Sequence, residues 1–233
     1  MKVLLIDDHP LILSALKSVI QGLDQGIEVS SADSGQAARA ALQADSGYDL
    51  VLLDLHLGDT HGFDLLAELR EVYPAIAVVV ISASDRSSDV IRAIDMGAMG
   101  FVPKRASNET LVAALKQVMS GGVYVPPMTI GSDSQAPHTP APNGMSDDLH
   151  AAIHLPQLGL TPRQTDVLAS LLKGHPNKLI ARELNLSVET VKDHVAAVLR
   201  ALGVSSRTQA VIAVSQALQK QQNGFSAWRP VQR

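Results

Sequence analysis

Two runs, Leu50–Leu53 and Ile76–Ile81, are apolar at every position instead of every second one. A strand with one wet face alternates. A strand that is apolar throughout is covered on both faces, the mark of a parallel sheet between layers of helix. Parallel neighbours need crossover connections, and the flanking sequence supplies helical patterns for them. Further short runs at 3–6, 27–29 and 100–102 read as strands, and residues 10–21, 35–44, 62–72, 87–96 and 108–120 read as helices. Pro10 suits a first helical turn, and Ser34 and Ser107 are N-cap residues. Five βα units predict an α/β, doubly wound, five-stranded parallel sheet.

This pattern stops near residue 122. Residues 126–156 hold six of the twelve prolines, with Gly, Ser and Asp. Such a stretch buries too little apolar surface to offset its ordering entropy. It marks a flexible, Pro-rich linker, placed at 123–157. Beyond it there is no strand pattern. About four helices, at 162–173, 178–184, 188–202 and 206–220, predict a small all-α domain over 158–221, with a tail at 222–233.

Charge divides the same way. Residues 1–125 carry 9 Lys and Arg against 16 Asp and Glu, whereas residues 157–233 carry 10 against 4. A basic end on an acidic chain points to nucleic acid as its partner. The chain has no cysteine, which excludes disulfides and thiolate metal sites and suits a reducing cytoplasm. No run reaches 18 uncharged apolar residues, so no membrane partner is expected.

In an open parallel sheet, ligands sit at the carboxyl ends of the strands. Asp7 and Asp8 follow the first strand, Asp54 the third and Ser82 the fourth, and Lys104 ends the fifth. Oxygen ligands without Cys suit a hard cation such as Mg2+. A cation also offsets the mutual repulsion of clustered carboxylates. A carboxylate in such a place can attack phosphorus and form an acyl phosphate, with Ser82 and Lys104 holding the phosphoryl oxygens. The same residues would also serve a metal-dependent phosphatase with Asp54 or Asp8 as nucleophile, although the basic C-terminal part is then unexplained.

The C-terminal part reads as helix-turn-helix. Asn177 precedes a short amphipathic helix, Ser187 caps a longer one, and Gly203 stands beyond its end. Val188, Val191, Val195, Val198, Leu199 and Leu202 form an apolar stripe on the longer helix. Lys192 and Asp193 lie off that stripe and are expected to be open. Such a second helix enters the major groove with its N-terminal end first.

The segments "LLIDDHP", "DLVLLDLHLGDTHG", "VVVISAS" and "GFVPK" give residues 1–122 a resemblance to the receiver domain of two-component response regulators, a flavodoxin-like fold. The resemblance implies that Asp54 is the phosphoacceptor, charged by a sensor histidine kinase. It implies that Asp8 and Asp54 bind Mg2+ with the His56 backbone carbonyl, and that Asp7 acts through a metal-bound water. Lys104 would contact the phosphoryl group. Ser82 and Phe101 would be a switch pair, the hydroxyl moving toward the phosphoryl and the ring turning inward. Gly58 departs from the proline common in that loop, Arg105 follows Lys104 where proline is frequent, and His56 and Ser84 occupy positions that tune phosphoryl lifetime.

The segments "LTPR", "NKLIARELNLSVETVKDHV" and "LGVSSRTQAV" are similar to the LuxR-type domain, and the whole resembles the NarL/FixJ class of regulators. Carried over, Lys192 reads bases, with Asp193 and Ala196 at adjacent groove-facing positions. Lys178, Thr190, His194 and Arg207 become backbone or supporting contacts. The implied protein is not an enzyme. It is a cytoplasmic transcription factor that forms a homodimer when phosphorylated and binds double-stranded promoter DNA. Ala210, Val211, Val214 and Leu218 form the candidate dimer face. A DNA-binding regulator independent of phosphorylation is the alternative.

Overall fold

The computed structural model describes residues 1–127 and 159–214. Most of the expected linker, the tail and Leu218 lie outside the described residues. The N-terminal unit runs β1 (Lys2–Ile6), α1 (Pro10–Gln21), β2 (Glu28–Ala32), α2 (Gly35–Ala44), β3 (Leu50–Asp54), α3 (Gly62–Val72), β4 (Ala77–Ser82), α4 (Ser87–Asp95), β5 (Gly100–Pro103) and α5 (Asn108–Met119). The C-terminal unit contains α6 (Pro162–Leu172), α7 (Asn177–Leu184) and α8 (Val188–Ala201), followed by α9, which is helical over 207–214.

The five strands are parallel, in the order β2-β1-β3-β4-β5. Side chains of successive strand residues point to opposite faces, so each strand feeds two cores. Leu4, Ile6, Val51, Leu53, Val78 and Val80 pack with residues of α2, α3 and α4. Val3, Leu5, Leu50, Leu52, Val79 and Ile81 pack with α1 and α5 on the other face. This double coverage is why β3 and β4 carry no polar residue until their last position. Each of those last residues, Asp54 and Ser82, stands at the carboxyl edge.

Pro10 starts α1, and the hydroxyls of Ser34 and Ser107 accept from the Ala37 and Thr110 amides as N-caps. Two boundaries of the N-terminal unit depart from the sequence reading by more than one residue. β2 continues to Ala32 through exposed Ser30 and Ser31. It is an edge strand, held by β1 on one side only, so it needs no apolar run. Residues 123–127, assigned to the linker by composition, are also placed. Tyr124 pairs beside β5, accepting from the Phe101 amide at 3.1 Å and donating to Met99 O at 3.0 Å.

The C-terminal core is built from Val167, Leu171, Ile180, Ala181, Val191, Val195, Leu199 and Ala210. Ser187 caps α8 through the Thr190 amide at 3.0 Å. Gly203 follows α8 with φ +67°, a left-handed conformation that favours glycine at a helix end. Asn177, expected to precede α7, is its first residue instead. Its side-chain amide donates to Ala75 O in the N-terminal unit at 3.3 Å. No helix among the described residues is long and apolar enough to cross a membrane.

Candidate functional site

The strand ends bring Asp7, Asp8, Asp54, Ser82 and Lys104 to one edge of the sheet. Asp7 and Asp54 are each only 1% exposed, whereas Asp8 faces solvent. Two buried carboxylates need a cation, and Lys104 supplies it. Its Nζ lies 2.7 Å from Asp7 Oδ2 and 2.8 Å from Asp54 Oδ2. Burial pushes the Lys104 ammonium down, but its close contacts with the Asp54 and Asp7 carboxylates outweigh that and raise it above the ordinary lysine value.

One ammonium does not satisfy the pocket. Asp54 Oδ1 is buried and has no hydrogen-bond partner among the described residues. Asp7 Oδ2 has its ion contact with Lys104 but no well-oriented hydrogen bond. One ligand atom each from Asp7, Asp8, His9 and Asp54 falls within a 4.8 Å span. Orphaned carboxylate oxygens at that spacing fit a hard, oxygen-preferring cation. The cluster also contains a residue that sequence reasoning passed over. His9, the N-cap residue of α1, places Nδ1 2.6 Å from Asp8 Oδ1, and its amide donates to Asp7 Oδ1 at 2.9 Å. The available signal was its position between the acid pair and Pro10. The His56 side chain is exposed, and its backbone pairs with that of His61 across the following loop.

Ser82 is fully buried, and its Oγ accepts from the Ser84 amide at 3.1 Å. Ser84 Oγ in turn donates to Asp89 Oδ2 in the first turn of α4, at 2.5 Å. Phe101 is fully buried in the core shared with α3 and α4. The ring expected to turn inward is already inward here.

The C-terminal residues are less open than the sequence suggested. Asp193 and Lys178 are exposed, and Thr190, His194 and Ala196 are half-buried. Lys192, expected to be open, is only 7% exposed. Its ammonium lies 3.1 Å from Glu189 Oε1 and 3.6 Å from Asp49 Oδ1, the latter beside the start of β3. Helical periodicity placed Lys192 off its own domain's core correctly, but a second domain covers it. Arg207 is also withdrawn. It donates to His175 O at 2.6 Å, and burial lowers its guanidinium to about 10. Ala210 and Val214 are buried, Ala210 in the intradomain core, while Val211 and Ile212 face outward.

The two units meet at the amino edge of the sheet, opposite Asp54. Gln209 Nε2 donates to Asp95 O at 2.8 Å, and Ala75 packs against the C-terminal core. Gly121 has φ +94°, and a Cβ there would overlap the Gly174 carbonyl oxygen. Glu28, Asp45 and Asp49 line a groove with Lys178, Val188 and Glu189.

Comparison with known proteins agrees with this two-part construction. Residues 3–116 match the response regulator receiver domain, and residues 158–214 match the luxR family of bacterial regulatory proteins. The chain is 38% identical over 214 residues to the glycerol metabolism activator of Pseudomonas putida, covering 91% of this chain and 93% of that one. It is 34% identical over 215 residues to the nitrate/nitrite response regulator protein NarL of Escherichia coli K12, covering 92% and 94%. The RcsB response regulator of Salmonella typhimurium shares the fold at a TM-score of 0.50 and 18% identity, over 92% of this chain and 98% of that one. Both domains match in this order, and the relatives align over almost their whole length. The chain therefore belongs to the NarL/LuxR family of two-component response regulators, transcription factors that join a receiver domain to a LuxR-type DNA-binding domain.

Proposed function

We propose that Asp54 accepts a phosphoryl group from a sensor histidine kinase and thereby controls whether the DNA-binding domain is free. An Asp54 oxygen attacks phosphorus, the new O–P bond forms, and the P–N bond to the donor histidine breaks. Asp8, Asp54 and the His56 carbonyl would hold Mg2+, with Asp7 acting through a water. Bound there, the ion offsets the negative charge of the carboxylates and the incoming phosphoryl oxygens. The Lys104 ammonium, already 2.8 Å from Asp54, is placed to hold one phosphoryl oxygen. The Ser82 hydroxyl would donate to another, which would draw it from the Ser84 amide.

The observation that carries the control step is the burial of Lys192. In this reading the acidic edge of the receiver (Glu28, Asp45 and Asp49) occupies the face that would otherwise meet DNA phosphate. The domains separate on phosphorylation, because a modification that favours the open arrangement shifts the population toward it. Lys192 then reads a base edge, with Asp193 accepting from a cytosine N4 and Ala196 offering an apolar contact. Lys178, Thr190, His194 and Arg207 position the domain on the backbone. Two copies bind one promoter site as a homodimer, and the outward Val211 and Ile212 are its contact candidates. The proposed limits are 1–122 for the receiver and 158–221 for the DNA-binding domain. We assign the protein to the cytoplasm, and assign it no enzymatic turnover.

The test is operator binding after acetyl phosphate treatment, for the wild type and for Asp54→Asn. Stimulation of the wild type alone is expected. Equal stimulation of both would favour a regulator that does not use this site.

A further inference from the structure

The loop between β3 and α3 walls the acidic pocket, yet its sequence contains nothing stiff. Gly58 sits in its middle, where glycine leaves the backbone free. The structure supplies stiffness from elsewhere. Asp59 reaches across to the start of α2. Its Oδ1 accepts from the Gly35 amide at 2.8 Å and its Oδ2 from the Gln36 amide at 2.9 Å. These two amides hold the Asp59 carboxyl below the usual carboxylate range. Ser34 Oγ accepts from the Ala37 amide at 3.2 Å, so the two caps of α2 take different amides and can be removed separately.

Both ends of the loop touch the pocket. Gly62 donates to Leu55 O at 3.0 Å, and a Cβ at Gly62 would stand 2.6 Å from Asp54 O, so loop and phosphoacceptor backbone are in direct contact. A Cβ at Gly58 would lie 3.9 Å from Asp8 Oδ2. The loop therefore spans from Asp54 to Asp8, and Thr60 packs against Gly35 beside the Asp59 clamp.

We propose that Asp59 is a positioning residue of the acidic pocket: by clamping residues 56–61 to the start of α2, it sets the affinity of the pocket for a divalent cation. This rests on the reading of the Asp7, Asp8 and Asp54 cluster as a Mg2+ site. Asp59 touches no ligand itself. It acts through the loop that closes the pocket, doing by hydrogen bonds what a rigid residue at position 58 would do covalently.

The experiment is calorimetric titration of the full-length protein with MgCl2, which requires no phosphorylation. Asp59→Ala is expected to weaken Mg2+ binding roughly tenfold, the low end for partners that stand behind metal ligands. Ser34→Ala, which removes the other cap of α2 and leaves the loop clamped, is expected to bind like the wild type. Adding Gly58→Pro to Asp59→Ala is expected to recover most of the loss. The space is open there, and the Gly58 amide makes no hydrogen bond among the described residues. If the wild type binds no Mg2+, the pocket itself has been misread. If the wild type binds and Asp59→Ala binds equally well, the clamp is overturned. A loss in Ser34→Ala matching that of Asp59→Ala, or a double variant as weak as Asp59→Ala, overturns it as well.

Discussion

Lys192 Nζ lies 3.6 Å from Asp49 Oδ1, so the lysine proposed to read DNA faces a carboxylate of the receiver. A lysine has one ammonium, and while Asp49 and Glu189 surround it, a base edge or phosphate cannot. The contact forms at the amino end of β3, and Asp54 stands at the other end of the same strand. Strand β3 thus links the two sites physically.

Removing the charge of Asp49 should loosen this contact. Asp49→Asn retains an acceptor for the Lys2 amide, which now donates to Asp49 Oδ2 at 3.0 Å. Unphosphorylated Asp49→Asn is expected to bind operator DNA about threefold more tightly, in keeping with the fraction of a kcal/mol that a partly exposed ion pair contributes. Fluorescence anisotropy checks this, and affinity at or below the wild-type value would count against the contact.

Gly121 tests the seam from a second side. Alanine there meets the Gly174 carbonyl and must also hold φ +94°. Gly121→Ala should cost the receiver roughly 1–3 kcal/mol from backbone strain alone. It should also raise DNA binding without phosphorylation, by more than Asp49→Asn does. A variant that remains folded with unchanged DNA affinity would show that the seam does not govern access to α8.

Lys104 gives a dependence on pH. Its folded-state value is raised above the ordinary 10.5, so its stabilising effect is complete below that pH and is lost as pH rises through the folded value. Urea unfolding of the receiver should show a drop in stability above about pH 10.5 in the wild type. In Lys104→Met that drop should be smaller. At neutral pH the variant should be less stable by roughly 3 kcal/mol, the low end for removing one member of a buried ion cluster. Mg2+ should restore part of the loss, because it replaces the missing positive charge beside Asp7 and Asp54.

Ser187 connects local capping to DNA affinity. Ser187→Ala leaves the Thr190 amide without its acceptor, which costs about 1 kcal/mol at a helix N-terminus. The first turn of α8 holds Thr190 and leads into Lys192. The variant is therefore expected to lower thermal stability of the C-terminal domain and weaken operator binding of the phosphorylated protein. Unaltered affinity at reduced stability would mean that DNA itself orders that turn.

Much of this architecture was legible residue by residue. Continuous apolar runs at 50–53 and 76–81 required cover on both faces, and the cores on either side of β3 and β4 show that cover. Ser34, Ser107 and Ser187 marked helix starts because capping is a local hydrogen bond between near neighbours in the chain. The acids following the strands were legible for a similar reason: in a parallel sheet every strand points the same way, so the residues after each strand share an edge. The extension of β2 was not legible, because Ser30 and Ser31 lie in a half-covered edge strand and carry no apolar signal. The role of His9 beside Asp8 was equally hidden until the fold set their side chains 2.6 Å apart.

The chain alone determined its two domains, the strand and helix sequence of each, and the set of acids around Asp54, since all of these follow from local periodicity and strand direction. Tertiary structure alone decided that Lys192 is covered by Asp49, that Asn177 reaches Ala75, and that Asp59 pins its loop to α2. Those contacts join residues far apart in sequence. Periodicity reports which face of a helix leaves its own core, but not which surface meets that face after the chain has folded back on itself.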